Sequence, residues 1–136
     1  MASIYKEFVV NASPAFAWEA IKDVGNIHTR LARGFVADTQ LEGDTRTVRF
    51  VNGFVVQEQV VSIDDELRRL VYRAIGGRAS HHNAFFQVLS ETNGRCKILW
   101  VTDLLPDEMR APISQMVEAG ASAIQETLEA TYRLRT

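Results

Sequence analysis

Cysteine is almost missing from this chain: Cys96 stands alone among 136 residues. A lone thiol cannot close an internal disulfide, which fits a reducing compartment. Long apolar runs are missing too. None approaches the ~20 residues that a membrane-spanning helix needs. The first residues, Met1 to Lys6, carry no apolar signal region and already read as strand. The expectation is a cytoplasmic protein with no membrane span. No basic cluster stands out: fifteen Lys and Arg are scattered against seventeen Asp and Glu, for a net charge of −2, which argues against binding nucleic acid. There is no Gly-rich phosphate loop before a helix, no Ser elbow and no Cys pair for zinc. Repeats, linkers and low-complexity stretches are absent as well.

What is present is one domain's worth of ordinary globular sequence, 46% hydrophobic, read as a single domain over 1–136. Its organising stretch runs from Asp107 to Thr136. Apolar or small residues at Ile113, Met116, Val117, Gly120, Ala121, Ile124 and Leu128 recur every three or four positions, which marks one stripe of a helix. Pro112 is comfortable only within a first turn, so the spacing predicts an irregular or 3₁₀ turn at 107–110 and regular helix from about Arg110.

The rest reads as strands and turns, except for a short helical segment. Ser13 is placed to cap a helix whose first position is Pro14. Its stripe is Phe16, Ala17, Ala20 and Ile21, with Trp18 towards an edge, and Gly25 follows its end. A second short helix is expected from Asn26 through Leu31, stopping at Gly34. Strands are expected at 3–10, 35–42, 45–51, 54–63, 67–75, 81–89 and 95–104. Asn52-Gly53 is the strongest hairpin signal, in the pattern of a two-residue type I′ turn. The fold class is α+β, in the order β-α-α-β6-α. A curved antiparallel sheet of about seven strands has one place for the long helix, its concave face.

Hairpin register then predicts which residues face that helix. Val88 is expected opposite Ile98, Phe86 opposite Trp100 and Ala84 opposite Thr102. One strand on, Ala74 is set against His82, Tyr72 against Ala84 and Leu70 against Phe86, with Val60 facing Tyr72 and Glu58 facing Ala74. The other face carries Gln57, Gln59, Arg73, Asn83, Gln87 and Lys97 and reads as solvated. Glu58 on the inner face needs a cation or water. Arg49 is the candidate cation, diagonal to Glu58 across the Asn52-Gly53 turn; the alternative is a carboxylate free in a wet cavity that holds a ligand. Gly120 and Ala121 on the helix leave volume unfilled, which favours a cavity.

Four stretches suggest a family: Phe35 to Arg46, Ile63 to Tyr72, His81 to Ala84, and Trp100 to Glu108. With the strand order, they resemble the helix-grip fold of START domains, birch-pollen-allergen-like proteins and abscisic-acid receptors. The similarity is greatest to the bacterial polyketide cyclase/dehydrase-like group of that superfamily. Aligned on the Ile63–Glu66 turn, Glu58 falls where the hormone receptors keep an inward carboxylate. Ala84 and Phe86 fall at ligand-contacting positions, though the receptors' own residue types there, and their gate, are missing.

The resemblance implies a cavity between sheet and helix, holding a small hydrophobic or aromatic, polyketide- or lipid-like molecule. The expected lining is Glu58, Val60, Tyr72, Ala74, His82, Ala84, Phe86, Ile98, Trp100 and Thr102, with Met116, Gly120 and Ile124 from the helix. The alternative is a cyclase, aromatase or dehydratase. There Glu58 or His82 takes a proton α to a carbonyl, and Tyr72 or Arg49 holds the enolate oxygen. Such chemistry needs no metal or organic cofactor. Adjacent His81 and His82 point to opposite faces of a strand and cannot chelate one ion simply. The bland readings are an ion pair for Glu58, a packing role for His82 and core aromatics for Phe86 and Trp100. Cys96 is expected to face outward. The chain is expected to be a monomer or homodimer.

Overall fold

The computed structural model describes residues 2–135; Met1 and Thr136 lie outside the described residues. The elements are β1 (Ala2–Val10), α1 (Pro14–Lys22), a π-helical turn (Ile27–Leu31), β2 (Val36–Glu42), β3 (Thr45–Phe50), β4 (Val55–Asp64), β5 (Arg69–Ile75), β6 (His81–Ser90), β7 (Cys96–Leu105) and α2 (Arg110–Arg135). All seven strands form one antiparallel sheet in the order β1-β7-β6-β5-β4-β3-β2. This is the expected helix-grip arrangement, with α2 packed across the sheet.

Local chemistry explains the helix starts. Ser13 Oγ accepts from the Phe16 amide at 3.2 Å, and Pro14 opens α1. A 3₁₀ turn at Asp107–Met109 precedes α2, so Pro112 falls in the first helical turn, where its missing N–H costs nothing. Ile113, Val117, Gly120, Ala121, Ile124 and Leu128 are buried as the stripe requires, and Met116 is half-buried. Trp18 differs from expectation. It is buried rather than at an edge, because its indole N–H donates to Asp65 Oδ1 at 2.8 Å and ties α1 to the β4–β5 turn.

Register over β4 to β7 is as expected: Glu58 pairs with Ala74, Val60 with Tyr72, Leu70 with Phe86, Tyr72 with Ala84, Phe86 with Trp100 and Val88 with Ile98. The β5–β6 ladder ends at Arg73 and Asn83, so Ala74 and His82 are not paired. The β3–β4 hairpin is shifted by one residue. Phe50 N donates to Phe54 O at 2.8 Å, which leaves a three-residue loop of Val51, Asn52 and Gly53. Only Gly53 of the Asn-Gly pair takes positive φ, +97°. Asn52 instead accepts from the Phe54 amide at 3.0 Å through its own Oδ1, a side-chain turn that competes with type I′. Cys96 also corrects an expectation. It lies two residues from Ile98, hence on the same face, and is fully buried.

Candidate functional site

The shifted hairpin decides the chemistry of the interior. Arg46, not Arg49, lies opposite Glu58. Arg49 pairs with Val55, is exposed, and sits in the field of Asp38 on the outer side. Arg46 Nε donates to Glu58 Oε1 at 2.8 Å, with side-chain exposures of 3% and 13%. The guanidinium lies 5.0 Å from the centre of the Tyr72 ring, and Nη1 donates to the Val24 carbonyl at 3.4 Å. A charge taken out of water needs such partners.

From there an aromatic ladder crosses the sheet. Tyr72 and Phe86 stack at 6.1 Å and 23°, and Phe86 and Trp100 at 4.6 Å and 26°. These rungs come from the adjacent strands β5, β6 and β7: Phe86 lies opposite Trp100 and diagonal to Tyr72, whose own partner is Ala84. Trp100 Nε1 donates to the Tyr72 hydroxyl oxygen at 3.0 Å. Burial pushes the Tyr72 phenol far above its ordinary value. The Glu58 carboxylate adds to that, and the Arg46 cation opposes it.

Beside the ladder lies a cavity of about 60 Å³. Glu58, Tyr72, Phe86, Trp100, Gly120 and Ile124 line it, as expected. Val60, Ala74, His82, Ala84, Ile98, Thr102 and Met116 do not. Parity assigns a side chain to a face but not to a depth along it. Ile98, Ala84 and Thr102 are spent in close packing at 0%, 4% and 2% exposure. His82 is half-buried, and its imidazole is pushed down by burial, against the field of Glu58.

Eight lining residues escaped the sequence reading. Arg46, Val48 and Phe50 come from β3, and their alternation was the signal available. Ile27, Leu31 and Ala32 come from the π turn and the residue after it, too short for a period to be read, while Phe35 and Val36 open the expected strand 35–42, which the hairpin count did not reach. Phe35 packs edge-on against Phe50 at 5.2 Å and closes the cavity on that side.

Gly120 is not unfilled space. A Cβ there would meet Trp100 Cη2 at 2.9 Å and Phe35 Cε2 at 3.1 Å. The glycine lets α2 come down onto two rings. Among the described residues, no three His, Cys, Asp or Glu side chains are grouped to hold a metal, and no helix is long and apolar enough to cross a membrane.

Solved structures share the whole architecture. The protein XoxI from Bacillus cereus superposes with a TM-score of 0.83 at 17% identity, over 100% of this chain and 99% of its own. An uncharacterized protein from Bacillus thuringiensis gives 0.83 at 16% identity, over 93% and 98%. Norcoclaurine synthase from Thalictrum flavum, solved with dopamine and hydroxybenzaldehyde, gives 0.71 at 20% identity, over 92% and 84%. Identities this low establish a common fold. No curated protein matches the chain in sequence. A family model does match, over residues 1–133, so the chain belongs to the family described as polyketide cyclase/dehydrase and lipid transport.

Proposed function

We propose that the chain binds a small hydrophobic or aromatic molecule, polyketide- or lipid-like, between the curved sheet and α2. The observation that carries this reading is the wall formed by Tyr72, Phe86 and Trp100 beside a cavity whose charged groups are Arg46 and Glu58. An apolar site with a few placed polar groups is the usual composition for small-molecule binding. A flat ligand would stack on the ladder, and the bound aromatics of norcoclaurine synthase are a precedent on the same fold.

The cavity of about 60 Å³ has room for a few waters, whereas ligand pockets run to roughly 300–1,000 Å³. Binding of a ligand of that size therefore requires the cavity to widen. The protein is read as cytoplasmic, a monomer or homodimer, with no nucleic-acid partner.

The test is a titration with the dye 1-anilinonaphthalene-8-sulfonate. Saturable binding at one site is expected, lost in Val48→Phe and in Ile124→Phe, each of which fills the cavity from a different wall. Dye binding undiminished in both variants, with both folded, overturns the reading.

One observation favours catalysis as the second reading. Tyr72 accepts from Trp100, so its own O–H remains to be offered to a carbonyl oxygen inside the cavity. Tyr72 would then hold an enolate oxygen while Glu58 handled the proton. His82 has no part in this version, since it does not line the cavity. Turnover of a polyketone substrate unchanged in Tyr72→Phe and Glu58→Gln rules it out.

A further inference from the structure

The outer face of the sheet carries more apolar surface than a solvated face needs. Ladder register lines up one apolar row straight across it. Tyr5 lies opposite Val101, Val101 opposite Phe85, and Phe85 opposite Val71, on β1, β7, β6 and β5. Tyr5 is 62% exposed, and the other three are half-buried. Exposed apolar side chains scattered singly need no explanation, but a contiguous row marks a contact surface.

The charges around the row sum to zero, but they are split from side to side. Glu7 and Asp103 lie on β1 and β7, and Arg69 and Arg73 on β5. The remaining two are engaged locally. Lys97 lies 3.9 Å from Glu7 and 3.6 Å from Glu91, and the Asp64 carboxylate accepts from the Leu67 amide. A field of this shape does not select a surface of one sign. It is complementary to a copy of itself turned through half a circle.

Arg69 makes the strongest demand on this face. Its guanidinium lies 4.4 Å from the centre of the Phe85 ring, and its Nε is out of water with no hydrogen bond among the described residues. A cation held this way is stabilised by a carboxylate beside it. Glu7 stands in the same row, which runs Glu7, Leu99, Gln87, Arg69 across the four strands.

We propose that the chain forms a twofold dimer through this outer face. The axis runs along the strands, between β6 and β7. That rotation exchanges β7 with β6 and β1 with β5, and it keeps each row at its own height. Val101 then meets the partner's Phe85, Tyr5 meets the partner's Val71, and Glu7 meets the partner's Arg69, each contact occurring twice by symmetry. Packed sheets lie about 10 Å apart and are turned by about 30° to each other, a displacement that long Glu and Arg side chains span. The contact covers the backs of β5, β6 and β7, whose inner faces carry the aromatic ladder. From β1 to β5 and from Ser3 to Val9 this face measures roughly 19 by 20 Å. That is small for a stable pair, so the dimer should dissociate on dilution.

Sedimentation velocity over a concentration series tests this. The wild type should pass from monomer to dimer as concentration rises. E7R and R69E should each weaken the dimer at least ~tenfold, because each sets like charges against one another across the axis. The two variants mixed in equal amounts should dimerise like the wild type, and E7R/R69E should do so alone. A folding role for either residue cannot produce that rescue between separate chains. Y5S should weaken the dimer without changing any charge. Tyr5 and Glu7 are exposed, so Y5S and E7R keep the test intact whatever R69E does to folding. Three results overturn the proposal: a wild type monomeric at every concentration, a dimer unchanged by E7R, or folded E7R and R69E that associate no better mixed than apart. A dimer that survives both reversals and dissolves in F54S also overturns it, since the contact would then lie at the β3–β4 hairpin, where Phe54 is 57% exposed. The dye titration reads the cavity and not the outer face, so this proposal and the ligand-binding reading fail separately.

Discussion

Arg46 and Glu58 face each other across β3 and β4, 2.8 Å apart and almost out of water. A buried pair of this kind is weak evidence for stability as a pair, but each member is needed once the other is present.

Arg46→Ala should therefore destabilise the chain by ~3–5 kcal/mol, since it strands the Glu58 carboxylate. Arg46→Met with Glu58→Leu should recover most of that loss. Urea denaturation of the two single variants and the double gives the coupling. Equal, additive losses would mean that the pair is solvated.

Gly120→Ala sets two effects against each other. An alanine in mid-helix gains about 1 kcal/mol over glycine. The added Cβ meets Trp100 at 2.9 Å and Phe35 at 3.1 Å, and Trp100 is held by Phe86 and by its bond to Tyr72. Overpacking of this sort costs ~1–3 kcal/mol, so a net loss of about 1 kcal/mol is expected. The sign should reverse in a Trp100→Phe background, which removes the ring atoms in contact. Thermal unfolding of the four chains checks it.

The pH dependence should have two flanks of known origin. Burial pushes the Cys96 thiol up to about 11 from its ordinary 9.0. The unfolded chain then loses this proton first, and stability falls between those values as pH rises, by ~2–3 kcal/mol. On the acid side, burial lowers the His82 imidazole below its ordinary 6.5. The unfolded chain takes up this proton first, so stability falls as pH drops below 6.5. Cys96→Ala should flatten the alkaline slope and His82→Gln the acid one, whatever each does to stability at neutral pH. Denaturant midpoints across pH measure both slopes, and a slope unaltered in its variant refutes that assignment.

Alternation alone placed Glu58, Tyr72, Phe86 and Trp100 on one face, because an antiparallel ladder repeats every two residues and its hairpins carry the parity from strand to strand. It failed for Arg49 because Asn52 bonds to the Phe54 amide and adds a residue to the loop. One residue is enough to exchange the faces of a strand. It put Val60, Ala74, His82, Ala84, Ile98 and Thr102 on that face too, yet none of them lines the cavity, because facing inward does not say whether a side chain meets a void or a neighbour.

By itself, then, the sequence determined the elements and their order, since strand and helix periods, caps and turns are local properties of the chain. Pro112 even located the 3₁₀ turn before α2. Only the tertiary structure decided that Arg46 neutralises Glu58, that Gly120 seats α2 on Trp100 and Phe35, and that Leu31 and Phe35 wall the cavity. Those outcomes depend on loop length and on contacts between residues far apart in the chain, and no local period encodes either.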